Sequence, residues 1–158
     1  MSNFKSGFVF FFFFIFVLLA VFAQTDQKIS YFSPDDVRLT ESPIRHAEEM
    51  DMKYLLELSA DRLLAPYLRE AGLTPKAENY PNWENTGLDG HIGGHYLSAL
   101  AYMYASTGNA EIKTRLDYMI SELKKAQDAN DDGYIGGVTG GRAMWKEIGD
   151  GKIEAASF

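Results

Sequence analysis

The chain of 158 residues has no cysteine at all. No disulfide, thiolate nucleophile or cysteine-ligated metal is therefore available from its own residues. A lipid-anchored N-terminus is excluded as well, because that route acylates a cysteine. The 15 Lys and Arg residues are outnumbered by 22 Asp and Glu and form no cluster. Nucleic acid and anionic membrane both need a basic surface to displace counterions, so neither is expected as a partner. No internal repeat and no low-complexity tract occurs after the first two dozen residues.

What is present begins with an export signal. Lys5 is the single charge in the first 23 residues, and Phe8 to Phe22 is an unbroken apolar run of 15. A transmembrane helix needs about 20 such residues, so the run suits a signal-peptide core better than a span. Val21-Phe22-Ala23 offers a cleavage site with Gln24 as the mature start. The expected organisation is thus a signal peptide over residues 1–23 and one domain over 24–158. The product is expected to be secreted or periplasmic, with no stable membrane span after cleavage. An uncleaved anchor is the competing reading. Cleavage would remove nine of the eleven Phe residues and shift the net charge from −7 to −8. A mature chain without disulfides must be held by packing alone.

Helical signals dominate the rest. Residues 31–40 read as extended, with a turn at Pro34. Ser42-Pro43 is an N-cap with proline at the first helical position, followed by Tyr54, Leu55 and Leu58 at helical spacing. A second helix from Ser59 or Asp61 carries Leu63, Leu64 and Leu68 and stops near Gly72. Residues 73–88 form a long irregular connection containing Trp83 and Glu84, and long loops in small domains are often functional. A helix from about His91 to Ser106 is apolar almost all round, which predicts burial on most of its surface. Thr107-Gly108-Asn109 then turns into an amphipathic helix. Its stripe is Ile112, Leu116, Met119, Leu123 and Ala126, with Arg115 and Glu122 among the charges largely off it. The pair is an αα-hairpin, the unit of helical bundles and barrels. A glycine-rich stretch, Gly133 to Gly141, leads to a short helix with Met144, Trp145 and Ile148.

Three groups of residues invite a chemical reading. Asp128 to Ile135 resembles the opening of a calcium loop, but Thr139 stands where a bidentate Glu is required. A polar turn accounts for the same letters and is preferred. His91 and His95 share a helix face, as zinc pairs do, yet no cysteine or zincin glutamate accompanies them. They either hydrogen-bond a polar ligand or pack where Gly90, Gly93 and Gly94 admit another element. Trp83, Glu84, Asp89, Tyr134 and Trp145 mix aromatic platforms with carboxylates, a mixture suited to carbohydrate, although each residue alone is more often structural. No two carboxylates can be paired as acid and base from spacing.

Three segments then occur in order: Asn82-Trp83-Glu84, the run from Gly87 to Leu100 (GLDGHIGGHYLSAL), and Gly133 to Val138. With Arg62 to Tyr67 and Arg69 to Leu73, they resemble the β-L-arabinofuranosidase family, glycoside hydrolase family 127, and its sister family 146. The resemblance implies an all-α fold, an (α/α)6 barrel of αα-hairpins, of which this chain holds an incomplete first part. It implies a carbohydrate partner, an arabinose-containing glycan, and hydrolysis of terminal β-L-arabinofuranosides with retention. It also implies a zinc-bound cysteine nucleophile, further Cys and Glu ligands, and a separate Glu as acid/base. None of these residues lies in this chain, so no catalytic or metal residue is assigned and no cofactor is expected in it. The expected substrate-contacting residues are Trp83, Glu84, Asp89, His91, His95 and Tyr134. The expectation is a truncated, inactive hydrolase fragment. The alternatives are a non-catalytic carbohydrate-binding helical domain, or part of a helical-toroid lyase or epimerase.

Overall fold

The computed structural model describes residues 30–152 and 154; the segment read as a signal peptide, residues 1–23, lies outside the described residues. The chain divides into two units, residues 1–32 and 33–158. Of the first, only residues 30–32 are described, without regular structure. The second carries five α-helices and no strand among its described residues: α1 (Pro43–Glu57), α2 (Ala60–Glu70), α3 (His91–Thr107), α4 (Ala110–Ala129) and α5 (Gly141–Gly149). Two 3-10 turns, Pro34–Asp36 and Asn82–Asn85, lie among the same described residues. The segment read as extended therefore contains a one-turn helix, with Ser33 and Val37 extended on either side.

Local chemistry sets the helix ends. Ser42 Oγ accepts from the Arg45 amide at 3.2 Å, with Pro43 at the first helical position. Asn109 Oδ1 accepts from the Glu111 and Ile112 amides at 2.9 and 3.1 Å. Gly108, at φ +67°, reverses the chain between α3 and α4. Beyond α2, Leu73 donates back to the Leu68 carbonyl at 2.8 Å and Gly72 takes φ +72°, the geometry of a glycine-terminated helix.

The core is the seam of α2, α3 and α4, closed at one end by α1. Leu63, Leu64, Leu100, Ile112 and Met119 are completely or almost completely buried there. Side chains of this size each contribute about 1.5–3 kcal/mol on burial. Polar groups stitch α1 onto this seam. The Tyr96 hydroxyl donates to the Leu55 carbonyl at 2.8 Å. Arg115 donates to the Leu58 and Leu56 carbonyls, at 2.6 and 3.3 Å, and so occupies acceptors that the end of α1 leaves open.

Two expectations about these helices need correcting. Helix α3 is not buried on most of its surface: His91, His95, Ser98 and Tyr102 are exposed along one stripe. Its described neighbours are α1, α2, α4 and the two 3-10 turns, and they leave this stripe largely open. Glu122, expected among the outward charges, is 4% exposed. Lys76 and Lys125 compensate it at 3.0 and 2.5 Å, and the Lys125 contact above all holds its carboxyl below the usual range against the opposing effect of burial.

Candidate functional site

The last turn of α2 is the frame of the site. Three of its residues, Tyr67, Arg69 and Glu70, reach into two loops far apart in sequence. The Tyr67 hydroxyl donates to the Gly90 carbonyl. Burial, and then the charge of Glu84, push this phenol up to about 12, so it remains protonated as a donor. Arg69 donates to Asp89 Oδ1 at 2.8 Å and to Asn79 Oδ1 at 3.1 Å. Asn79 in turn donates to the Tyr80 and Glu84 carbonyls, at 3.0 and 2.5 Å. Glu70 turns the other way and accepts from the Gly140 and Arg142 amides, at 2.9 and 3.3 Å.

Both loop-borne helices begin in the same manner. The N-caps of α3 and α5 are Gly90 and Gly140, at φ +89° and +72°, and neither has a side chain to cap its helix. In each case a distant carboxylate performs that task. Glu84, only 1% exposed, accepts from the Gly90 and Ile92 amides at 2.9 and 2.6 Å. Glu70 does the equivalent for α5. A carboxylate at a helix N-terminus also gains from the helix dipole. The glycines of the α3 motif serve close packing besides. A Cβ on Gly93 would lie 2.9 Å from the Tyr67 ring, and one on Gly137 would lie 2.7 Å from the Asp89 carbonyl oxygen.

On this frame stand exposed rings. Trp83 and His91 have ring centroids 5.4 Å apart, and His91 and His95 meet edge to face at 4.6 Å. Of the three rings, His91 borders a cleft of ≈ 320 Å³ between the start of α3 and the Tyr134–Val138 loop, lined also by Tyr67 and Trp145. Tyr134 is half-buried, and a side chain at Gly136 or Gly141 would collide with its hydroxyl. Burial, then the Glu70 and Asp132 carboxylates, raise the Tyr134 phenol above its ordinary value, so it too stays a donor. The arrangement offers apolar ring faces beside imidazole nitrogens, a phenol and glycine backbone. That is a surface for a polyhydroxylated ligand with one apolar face.

The family model described as Beta-L-arabinofuranosidase, GH127 catalytic domain, matches residues 36–154. The chain belongs to this family. No curated protein matches it. A glycoside hydrolase domain acts on carbohydrate, and the all-helical hairpin architecture agrees with a stretch of an α/α barrel.

With the GH127 assignment made, the six expected contact residues fall into two groups. His91, His95 and Trp83 form the exposed ladder, and Tyr134 lies across the cleft from it. Glu84 and Asp89 sit beneath that surface with both carboxylate oxygens engaged: Glu84 by two amides, Asp89 by Arg69 and by the Gly87 amide at 3.2 Å. Of the two readings of the α3 motif, the structure assigns packing to Gly90 and Gly93 and exposure to the histidines. Sequence reasoning missed Tyr67, Arg69 and Glu70. A helix that starts on a left-handed glycine has no cap of its own, and the structure, not the sequence, shows that geometry and the distant acceptor it requires.

The zinc implied for the family does not fit the residues present. The chain has no thiol, and among the described residues no group of three or more His, Cys, Asp or Glu is placed to hold a metal. The calcium-like segment is closed by protein contacts instead. Asp132 accepts from the Tyr134 amide and from Arg142, both at 3.0 Å, while Asp128 pairs with Lys124. Arg142 also donates to the Asn130 carbonyl at 2.7 Å, which locks the turn to the start of α5. Among the described residues, no helix is long and apolar enough to cross a membrane.

Proposed function

We propose that this chain supplies a substrate-binding wall for a glycosidase acting on terminal β-L-arabinofuranosides of plant-type glycans, and that these 158 residues bind sugar without cleaving it. The observation that carries the reading is the exposed Trp83–His91–His95 ladder beside the Tyr134 cleft, in a chain of the GH127 catalytic family. Stacking on the indole would hold the apolar face of the sugar ring. His91, His95 and Tyr134 would read its hydroxyls, and Glu84 and Asp89 would hold the start of α3 in place for them. The nucleophile of the family is a cysteine, and this chain has none. The apolar run at Phe8 to Phe22 supports export, and an exported chain would meet plant-type glycans.

Purified full chain titrated with methyl β-L-arabinofuranoside and followed by tryptophan fluorescence is expected to give saturable quenching that Trp83→Phe diminishes. The same preparation is expected to release no aryl alcohol from an aryl β-L-arabinofuranoside. Steady turnover would refute the non-catalytic assignment, and a flat titration would refute binding.

A further inference from the structure

A groove of ≈ 430 Å³ lies between α1 and α3, lined by Tyr54 and Leu55 on the first and by Tyr102 and Met103 on the second. Leu55 is buried, but Tyr54 and Tyr102 are 61% and 69% exposed, so the groove is open along its length. Ser106, at one end, is engaged with Glu48 at 3.0 Å. Apart from the two phenols, the lining of α1 and α3 thus presents little that addresses a polar ligand. None of these residues lines the His91 cleft.

The charge around this groove is one-sided. Helix α3 carries no Asp, Glu, Lys or Arg, whereas residues 33–57 carry seven acids against three bases. Arg45 is held by Glu48 and Glu49, and Lys53 by Glu57. Arg38 donates to the Pro34 and Val37 carbonyls, at 3.0 and 2.9 Å, and pairs with no carboxylate among the described residues. Asp51 lines the groove itself, and Asp35 and Asp36 follow the lining residue Pro34 in the 3-10 turn that packs on α3. None of these three carboxylates has an ion-pair partner among the described residues. An apolar slot rimmed by uncompensated acid selects a partner that is apolar on one face and cationic at its edges. A second copy of the chain fits poorly, because a two-fold contact would set this acidic rim against itself. An anionic membrane surface is repelled for the same reason. No strand edge exists among the described residues, so an extended peptide has no ladder to join.

We propose that the α1–α3 groove docks a basic amphipathic helix of a partner protein. Its apolar side chains, at i, i+3 or i+4 and i+7, enter between Tyr54 and Tyr102, and its Lys or Arg flanks meet Asp35, Asp36 and Asp51. Two helices with a furrow between them receive a third by seating its ridge of side chains in that furrow. The proposal does not rest on the carbohydrate reading, and a chain that binds no sugar leaves it standing.

The probe is a fluorescent synthetic helix of Leu and Lys with leucine on one face, titrated with the full chain by anisotropy. Its control carries Glu in place of every Lys. The Lys peptide is expected to bind saturably and more weakly as salt is raised, and the Glu peptide is expected not to bind. Two variants change exposed side chains only, so the fold is retained. Tyr102→Ser removes an apolar wall at constant charge, and about a tenfold loss of affinity is expected, the effect of losing an aromatic anchor. Asp35→Asn, Asp36→Asn and Asp51→Asn combined keep the wall and remove the rim charge, and about a tenfold loss is again expected from three exposed pairs. A Lys peptide that does not saturate, a Glu peptide that binds equally, or either variant binding as tightly as the unmodified chain would overturn the proposal. Self-association of the chain that Tyr102→Ser abolishes, seen by sedimentation, would assign the groove to a second copy and overturn it as well.

Discussion

Replacing Glu84 separates its role as a structural cap from a role as a ligand contact. Its carboxylate is 1% exposed, and its two oxygens accept from the Gly90 and Ile92 amides. Glu84→Ala deletes both acceptors at once and leaves two amides at the start of α3 without them. Each unsatisfied buried group costs about 1–3 kcal/mol. The opening is wide enough for water to relieve part of this, since Ile92 is 37% exposed and the Gly90 amide is the deeper of the two. The expected loss is therefore about 2–4 kcal/mol, a large part of the 5–15 kcal/mol that holds a typical domain together. Glu84→Gln keeps the volume and one carbonyl acceptor but turns an NH₂ toward an amide donor, so about half that loss is expected. Urea denaturation followed by far-UV circular dichroism measures both, and a shifted midpoint at unchanged slope is the signature of a stability change. If both variants unfold within about 0.5 kcal/mol of the unmodified chain, a range typical of inert surface changes, the capping argument is wrong.

Neighbouring glycines in α3 give a signed pair. Gly94→Ala is expected to stabilise by up to about 1 kcal/mol through helix propensity, because its Cβ would meet only the Tyr67 hydroxyl at 3.8 Å. Gly93→Ala is expected to destabilise by about 1–3 kcal/mol through overpacking, because its Cβ would lie 3.0 Å from the Leu63 carbonyl oxygen; thermal melts of the two variants check both signs. At high pH, Tyr67, pushed up to about 12, binds its proton more tightly folded than unfolded. Stability is therefore expected to fall as pH rises from about 10, the unfolded value, through 12, and Tyr67→Phe should flatten that limb. At low pH the sign reverses for Glu122: its lowered folded value contributes stability above about pH 4.3 that is lost as pH falls further, and Glu122→Gln should remove that dependence. N-terminal sequencing of exported product is expected to begin at Gln24, and a retained Met1 would refute cleavage.

Much of the helical framework was legible because its signals are local. Ser42-Pro43 and Asn109 act within three residues of themselves, and the apolar stripe of α4 points at its neighbours whatever their identity. The site loops were less legible because their determinants are not local. Glu70 caps a helix that starts seventy residues later, and the Gly140 it serves looks in sequence like any loop glycine. Glu84 and Asp89 are acidic residues in a loop, the pattern of ligand contacts, and sequence alone could not show that backbone amides and Arg69 occupy their oxygens. Glu122 misled for a related reason: it sits at the edge of the α4 stripe, and Lys76, which offsets its burial, comes from a different segment. The exposed stripe of α3 shows the limit of hydrophobic periodicity, which reports that a face is apolar and not what covers it.

The turn of α2 that holds both loops divides the molecule into a chassis and its instruments. Tyr67, Arg69 and Glu70 grip backbone and buried carboxylates, whereas the indoles of Trp83 and Trp145 stand clear of that grip, each 56% exposed. On the proposed function, the ring that meets the ligand can therefore be exchanged without loosening the mount beneath it. Such a layout lets preference for one sugar drift into preference for another by substitutions at the tips, at little cost to folding. The converse is a fixed liability: a change at Tyr67 or Arg69 would loosen one loop and a change at Glu70 the other, so this short segment of helix has far less freedom to vary than the rings it carries.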